Sequence, residues 1–219
     1  MRIAIGVMAR APSAPGKTRL AGDVSEPRLR ALREAMLVDT LSVVCSVPHT
    51  AVSVFVTPSA ADGEIGALAP KAIRVRPQVG DDLGARMRNA IAALIEHDGN
   101  DAAILVGTDA PLITVDHFDE AITLLRTRGG VVIGPADDGG YYLIGMTRVF
   151  DPMFDGIAWG TDAVLMDTLR ITDQLHIDAC LIRGAYDVDT VDDLRRLARD
   201  LAVEPTEVAP RTRQVLSDF

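Results

Sequence analysis

Apolar residues follow two rhythms along this chain. Short continuous runs read as buried strands, and longer segments with apolar positions three and four apart read as helices. The first run covers residues 3–9. Others cover 51–56, 73–76 and 102–106; residues 131–145 hold two strands around a polar knot, and 176–182 hold the last. Between the first two runs, Leu29, Leu32, Arg33, Met36, Leu37, Thr40, Leu41 and Val44 form one mostly apolar stripe. That pattern predicts a long helix capped by Ser25, with Glu26 and Pro27 in its first turn and Pro48 at its end. A short helix or turn is expected over 62–68, and helices over 85–97, 115–126, 162–169 and 191–201. Thr114 and Thr161 are the expected caps of the 115–126 and 162–169 helices. Beyond Pro205 the chain is polar and is expected to pack loosely.

This alternation predicts an α/β fold with a mostly parallel sheet, right-handed crossovers and helices on both faces. One domain is expected over 1–204, followed by a polar C-terminal tail over 205–219. In such sheets ligands sit at the carboxyl ends of strands. Four polar loops follow strands, at 10–19, 108–111, 136–140 and 187–193. A single cleft shared by these loops is the economical expectation.

Composition narrows the partners. Of 219 residues, 48% are hydrophobic and only 4% aromatic, so the core rests on Val, Leu, Ile and Ala. A formal net charge of -9 argues against a nucleic-acid platform, though not against a local basic pocket. Cys45 and Cys180 lie in apolar segments without metal-ligand spacing, and buried free thiols are expected. His49, His97, His117 and His176 form no cluster in sequence. No run approaches the roughly 18 apolar residues that span a bilayer. Residues 1–9 read as a first strand rather than a secretory signal, so no membrane partner and a cytoplasmic location are expected.

Each polar loop has a chemical and a plainer reading. The loop at 10–19 carries Arg10, Lys17 and Arg19. Its Pro15-Gly16-Lys17-Thr18 string has one glycine before the lysine and lacks phosphate-loop spacing, which disfavours a triphosphatase of that type. The cations still suit phosphates, through forked guanidinium donors and a mobile ammonium; the alternative is a solvated basic loop. Asp109, in Gly107-Thr108-Asp109-Ala110-Pro111, is either a ligand for a hard divalent cation or a turn cap. Asp192 and Asp193 suit the first turn of a helix. Asp187 and Asp189 alternate along an extended piece before that helix, and one of them is expected in the cleft, Asp189 in preference with Asp187 as the fallback. The loop at 78–84, with Gln78, Gly80 and Gly84, either offers its backbone to a base or ribose or caps the next helix through Asp81 or Asp82. Arg86, one turn on, faces cleft or solvent. Asp137-Asp138-Gly139-Gly140 is an ordinary hairpin turn or a close-approach loop for a ligand. Trp159, the single tryptophan, precedes Gly160 and Thr161 and is either core or the wall of an acceptor pocket.

Six strings taken together carry a resemblance. They are PGKTRLA at 15–21, GDDLGARM at 80–87, GTDAP at 107–111, DDGGYYLIG at 137–145, WGT at 159–161 and DVDTVDDL at 187–194. In this order they resemble the DUF2064 family of GT-A-fold transferases, glycosyltransferase-like and including the arsenosugar-biosynthesis type. More distantly the chain is similar to 2-phospholactate and molybdenum-cofactor guanylyltransferases. The resemblance implies a GT-A, Rossmann-like three-layer α/β/α fold with a mixed, mostly parallel sheet. It also implies a nucleotide over the strand ends and Mg²⁺, or Mn²⁺, on Asp109 and Asp189. Glycosyltransferases of this fold usually show an Asp-x-Asp pair, whereas here Gly107-Thr108-Asp109 has a single acid.

The leading expectation is nucleotidyl transfer from a nucleoside triphosphate to a small phosphorylated or carboxylic acceptor, with release of pyrophosphate. The expected nucleotide contacts are Ala9, Arg10, Lys17, Arg19, Gln78, Gly80, Gly84, Thr108 and Asp109. The expected acceptor contacts are Asp138, Gly139, Gly140, Tyr141, Trp159, Gly160 and Thr161. Arg10 and Lys17 would act on the β- and γ-phosphates and Asp138 on the acceptor side. Glycosyl transfer from a nucleotide-diphospho-sugar, with Asp138 or Asp137 as base, is the alternative. A non-catalytic nucleotide-binding module is the third reading.

Overall fold

The computed structural model describes residues 1–217. Seven strands form one sheet: β1 (Ile3–Arg10), β2 (Thr50–Thr57), β3 (Arg74–Pro77), β4 (Ala102–Val106), β5 (Val131–Pro135), β6 (Tyr141–Met146) and β7 (Ala179–Leu181). Their order is β3-β2-β1-β4-β6-β5-β7. All pairings are parallel except those of β6, which runs against both β4 and β5. The expected mixed, mostly parallel sheet is therefore present, and its one reversal is the 131–145 hairpin.

The sheet is buried on both faces, as continuous apolar strands require. Along β1, Ile3, Ile5, Val7 and Ala9 enter one core and Ala4 the other. The first core lies under α1 (Glu26–Ser46), α2 (Asp62–Leu68) and α4 (Val115–Thr127). The second lies under α3 (Leu83–Ala92, continued by a π turn at Ala93–His97) and α5 (Val164–Gln174). A third apolar cluster joins the first half of α1 to α6 (Val191–Val203) and α7 (Pro210–Leu216). The stripe on α1 thus serves two partners: Leu29, Leu32 and Met36 meet α6, while Leu37, Leu41 and Val44 meet the sheet.

Several local expectations shift. Ser25 occupies the N-cap of α1 without a side-chain bond, and its carbonyl accepts from Leu29 at 3.0 Å. The α3 helix starts at Leu83, because the Asp82 carboxylate accepts from the Ala85 amide at 2.7 Å. Thr161 does not cap α5. That helix starts at Val164, where the Leu165 amide, 2.9 Å from the Gly139 carbonyl, pins it to the hairpin. The β7 strand is short because His176 takes a left-handed turn (φ 52°) and Ile177 bonds back to Thr172.

Residues 206–217 are not a loose tail; residues 218–219 of the expected tail lie outside the described residues. The α7 helix docks on α1, where buried Asp39 accepts from the amides of Arg211 (3.1 Å) and Thr212 (2.8 Å). Arg213 bonds back to the carbonyls of Leu201, Glu204 and Pro205. The cysteines are free but not buried: Cys45 is exposed and Cys180 half-buried. Among the described residues, no helix is long and apolar enough to cross a membrane.

Candidate active site

The loops after β1, β4 and β7 meet through one side chain. Lys17 takes a left-handed conformation (φ 51°) and buries its stem, with 4% of the side chain exposed. Its ammonium lies 2.6 Å from Asp109 Oδ1, donates to the Val188 carbonyl at 2.6 Å, and lies 3.5 Å from Asp189 Oδ1. The Val188 amide in turn donates to the Asp109 carbonyl at 2.9 Å. Burial pulls the Lys17 pKa down, but the charges and hydrogen bonds of Asp109 and Asp189 outweigh it and the net shift is upward. The lysine expected on the phosphates is therefore a counter-ion to the two carboxylates expected on the metal.

The cleft has two lobes that share Leu83 and Asp189. The smaller, about 250 Å³, is lined by Ala9, Arg10, Gly16, Lys17, Arg33, Gln78, Arg86, Thr108 and Asp109 among others. The larger, about 630 Å³, is lined by Arg19, Met87, Asp138, Gly140, Tyr141, Trp159, Gly160, Thr161, Asp162 and Asp187 among others. The expected nucleotide contacts thus gather mostly in one lobe and the expected acceptor contacts in the other.

The smaller lobe is built by side-chain ties. Gln78 Nε2 donates to the carbonyls of Ala9 (3.1 Å) and Phe55 (2.9 Å), joining the 78–84 loop to the ends of β1 and β2. Gly80 has φ 138°, and a Cβ there would stand 2.8 Å from the Arg86 amide nitrogen, so it shapes the loop through its backbone. Its carbonyl accepts from Arg86 Nε at 3.0 Å. Arg33 is the residue the sequence pattern missed as a loop organiser. Its guanidinium is buried and donates to the Pro12 carbonyl at 3.0 and 2.8 Å and to the Gly16 carbonyl at 3.4 Å, and it pairs with Glu26 at 2.5 Å. A cation inside an apolar stripe, just after a Pro- and Gly-rich loop, was the available signal.

Three expectations are corrected. Arg19 is exposed and lines the larger lobe, away from the cations with which it was grouped. Gly84 is not open to a nucleotide. It lies buried under Trp159, and a Cβ there would stand 2.7 Å from the Phe154 carbonyl as well as against the indole. Asp187 and Asp189 both line the cleft, where only one was expected, because residues two apart in an extended segment share one side while Val188 between them points the other way, into the third core.

The larger lobe rests on the β5–β6 turn. Asp138 Oδ1 accepts from the Gly140 amide at 2.9 Å, and Gly139 (φ 87°) backs directly onto the Asp162 carbonyl, leaving no room for a side chain. Asp137 is turned away and pairs with Arg196 at 2.7 Å, whose guanidinium stacks 3.7 Å from the Tyr186 ring centroid. That removes Asp137 as a free base. The Tyr141 ring stands edge-on to Trp159, with centroids 6.4 Å apart. Burial pushes the Tyr141 hydroxyl well above its ordinary range, which suits a wall rather than an acid. Thr161 Oγ1 donates to the Ala158 carbonyl at 2.8 Å and holds the turn carrying Trp159 and Gly160. Asp187 is pushed up to about 7, first by burial and then by the charges of Asp109, Asp138 and Asp189, with Lys17 opposing. Those four aspartates therefore share one electrostatic neighbourhood.

Whole-chain comparison adds a kinship to this geometry. A Desulfovibrio desulfuricans G20 protein, proposed to be a nucleotide-diphospho-sugar transferase, superimposes with TM-score 0.90 and 30% identity. The match covers 100% of this chain and 95% of that one. A cytidylyltransferase of Leptospira borgpetersenii has TM-score 0.59 and 17% identity over 100% and 94%. CMP-2-keto-3-deoxy-manno-octonic acid synthetase, in complex with CTP, has TM-score 0.60 and 14% identity over 92% and 99%. The last two show a shared fold, the GT-A-like mixed sheet. No curated protein matches the sequence. The model of a family described as "Uncharacterized protein conserved in bacteria (DUF2064)" matches residues 40–161, more than half the chain. With that match and the whole-chain likeness at 30% identity, the chain belongs to the DUF2064 family.

Proposed function

We propose that this protein is a nucleotide-utilising, Mg²⁺-dependent transferase that moves a nucleotidyl group from a nucleoside triphosphate to a small acceptor and releases pyrophosphate. The observation that carries the reading is the cation held where the two lobes meet. The Lys17 ammonium rests among oxygens of Asp109, Asp189 and Val188, an all-oxygen set of the kind hard divalent cations take. Among the described residues, no group of three or more His, Cys, Asp or Glu is placed to hold a metal. Asp109 and Asp189 supply two carboxylates, a number that suits a metal completing its shell with phosphate oxygens and water, as Mg²⁺ commonly does. Such a metal, Mg²⁺ or Mn²⁺, would supply charge neutralisation at the reacting phosphates.

The chain's own groups have separate tasks in this reading. Arg10 and Arg86 line the smaller lobe and offer guanidinium donors to the phosphates. Lys17 now neutralises the two carboxylates that would hold the metal, and with a metal bound there its ammonium would be free to serve the phosphate tail. Gln78 holds the strand-end backbone over which the nucleoside lies. Asp138 and Trp159 face the acceptor in the larger lobe. Catalysis then rests on alignment and charge stabilisation rather than on a covalent intermediate.

Glycosyl transfer from a nucleotide-diphospho-sugar is the second reading, favoured by the proposed activity of the 30%-identical Desulfovibrio desulfuricans protein. One assay separates the two. The protein is incubated with Mg²⁺, each nucleoside triphosphate and a panel of small acceptors, and pyrophosphate is measured. Pyrophosphate is expected, and Asp109→Ala should abolish it while the fold survives. Nucleoside diphosphate released from a nucleotide sugar, with no pyrophosphate from any triphosphate, would overturn the first reading in favour of the second.

A further inference from the structure

The two lobes carry opposite charge. The smaller is lined by Arg10, Lys17, Arg33 and Arg86 against Asp109 and Asp189. The larger is lined by Arg19 alone against Asp138, Asp162, Asp187 and Asp189. From this asymmetry we infer that the acceptor is an uncharged, hydroxyl-bearing molecule of the carbohydrate or polyol class, received through its hydroxyls, rather than a phosphorylated or carboxylic compound. The inference rests on the transferase reading and names the substrate class for its larger lobe.

Three features support this class. First, the lobe is large, about 630 Å³, and carboxylates on its walls are acceptors suited to hydroxyl donors. An anionic acceptor would meet the exposed Asp138 and Asp162 and the half-buried Asp187 with a single exposed guanidinium to offset them, while Asp189, shared with the smaller lobe, is paired with Lys17. Like charges in close juxtaposition are strongly disfavoured. Second, the lining includes the half-buried aromatic rings of Trp159 and Tyr141, set edge to face, and aromatic surface suits the C–H side of a sugar ring. Third, Asp138 is an exposed carboxylate on the hairpin turn, oriented by the Gly140 amide and not used in an ion pair with Arg196 as Asp137 is. A protonated amine would satisfy the charge of the lobe but is not a nucleophile in that form. A hydroxyl satisfies both requirements.

The acceptor oxygen forms a bond to the α-phosphorus, and the bond from that phosphorus to the α–β bridging oxygen breaks. The electron pair leaves with pyrophosphate, and the hydroxyl proton passes to Asp138.

Ligand-observed NMR titrations test the class with matched trios: methyl glucoside, glucosamine and glucose 6-phosphate, then glycerol, 2-amino-1,3-propanediol and glycerol 3-phosphate. Each trio is run with Mg²⁺ and each nucleoside triphosphate, whose own binding is followed by calorimetry in the same samples. The uncharged member is expected to bind about tenfold or more tightly than its phosphate. Asp138→Asn with Asp162→Asn should narrow that gap, and Trp159→Leu should remove saturation of ring C–H protons. A phosphorylated member that binds as tightly as its parent overturns the inference, as does failure of both uncharged members to bind; the amino members bind at least as tightly as their parents if the lobe is acidic, and weaker binding by them overturns the charge argument. If triphosphates bind and the phosphates win, only the acceptor class falls. If no triphosphate binds, the nucleotidyl reading falls while the trios still report the lobe's preference.

Discussion

Replacing Lys17 with methionine isolates the cation at the lobe junction. Methionine keeps most of the buried stem and removes the charge. Breaking a fully buried ion pair by deleting one partner costs about 3–5 kcal/mol. Here the stranded carboxylates are 52% (Asp109) and 43% (Asp189) exposed, so water rehydrates them. That reduces the expected loss to about 1–2 kcal/mol. For a domain of this size the loss lowers Tm by about 2–8 °C. The variant also leaves the oxygens of Asp109, Asp189 and Val188 free for a divalent cation. At a Mg²⁺ concentration ten times the dissociation constant, binding returns about 1.4 kcal/mol. The wild type should gain much less, because Mg²⁺ must first displace the ammonium. Thermal unfolding of both proteins, without nucleotide and at matched ionic strength, reads the difference. Equal stabilisation of wild type and Lys17→Met by Mg²⁺, or none in the variant, would refute the view that ammonium and metal compete for one place.

Three further outcomes follow from the same geometry. Asp187, held near 7 against an ordinary 3.8, takes up a proton in the folded state that the unfolded chain has released, so stability falls as pH rises from about 4 to about 7 and levels off above. Asp187→Asn should flatten that slope and be more stable than wild type near pH 8 by roughly 1–3 kcal/mol, read by urea titrations near pH 5 and pH 8. Gly84→Ala forces a methyl between the Phe154 carbonyl and Trp159; a loss of about 1–3 kcal/mol and a shifted emission spectrum of the single tryptophan are expected, and an unchanged spectrum would place the indole elsewhere. Asp39→Ala leaves the amides of Arg211 and Thr212 without their carboxylate, which should cost about 1–3 kcal/mol and speed hydrogen exchange across α7 before the rest of the fold.

Much of the architecture was legible because burial leaves a periodic mark. The continuous runs at 3–9 and 102–106 are strands covered on both faces, and the stripe from Leu29 to Val44 is a helix buried along its length. Thr114 caps α4 as its position before the apolar period implied, with His117 closing a capping box. The signal failed where a tertiary bond set the boundary. Thr161 has the chemistry of a cap, but α5 begins where Leu165 meets Gly139 from a distant hairpin. Residues after Pro205 are polar in composition, yet a few contacts to Asp39 and Leu201 dock them as α7.

The site divides in the same way. Sequence alone determined which loops carry the cations and carboxylates, because residue type and position after a strand are local facts. It also located the polar knot at 136–140, whose glycines meet a backbone constraint. Which lobe each group serves is not local. Arg19 and Lys17 are two residues apart, yet one lines the larger lobe and the other is buried against Asp109, some ninety positions on. Gly84 and Trp159 are distant in sequence and in contact in space. Asp137 and Asp138 are adjacent, and the hairpin sends one to Arg196 and the other to the cleft. Direction along a turning backbone and the charge gathered by folding are properties of the assembled chain. They decided that this cleft has a basic lobe and an acidic lobe.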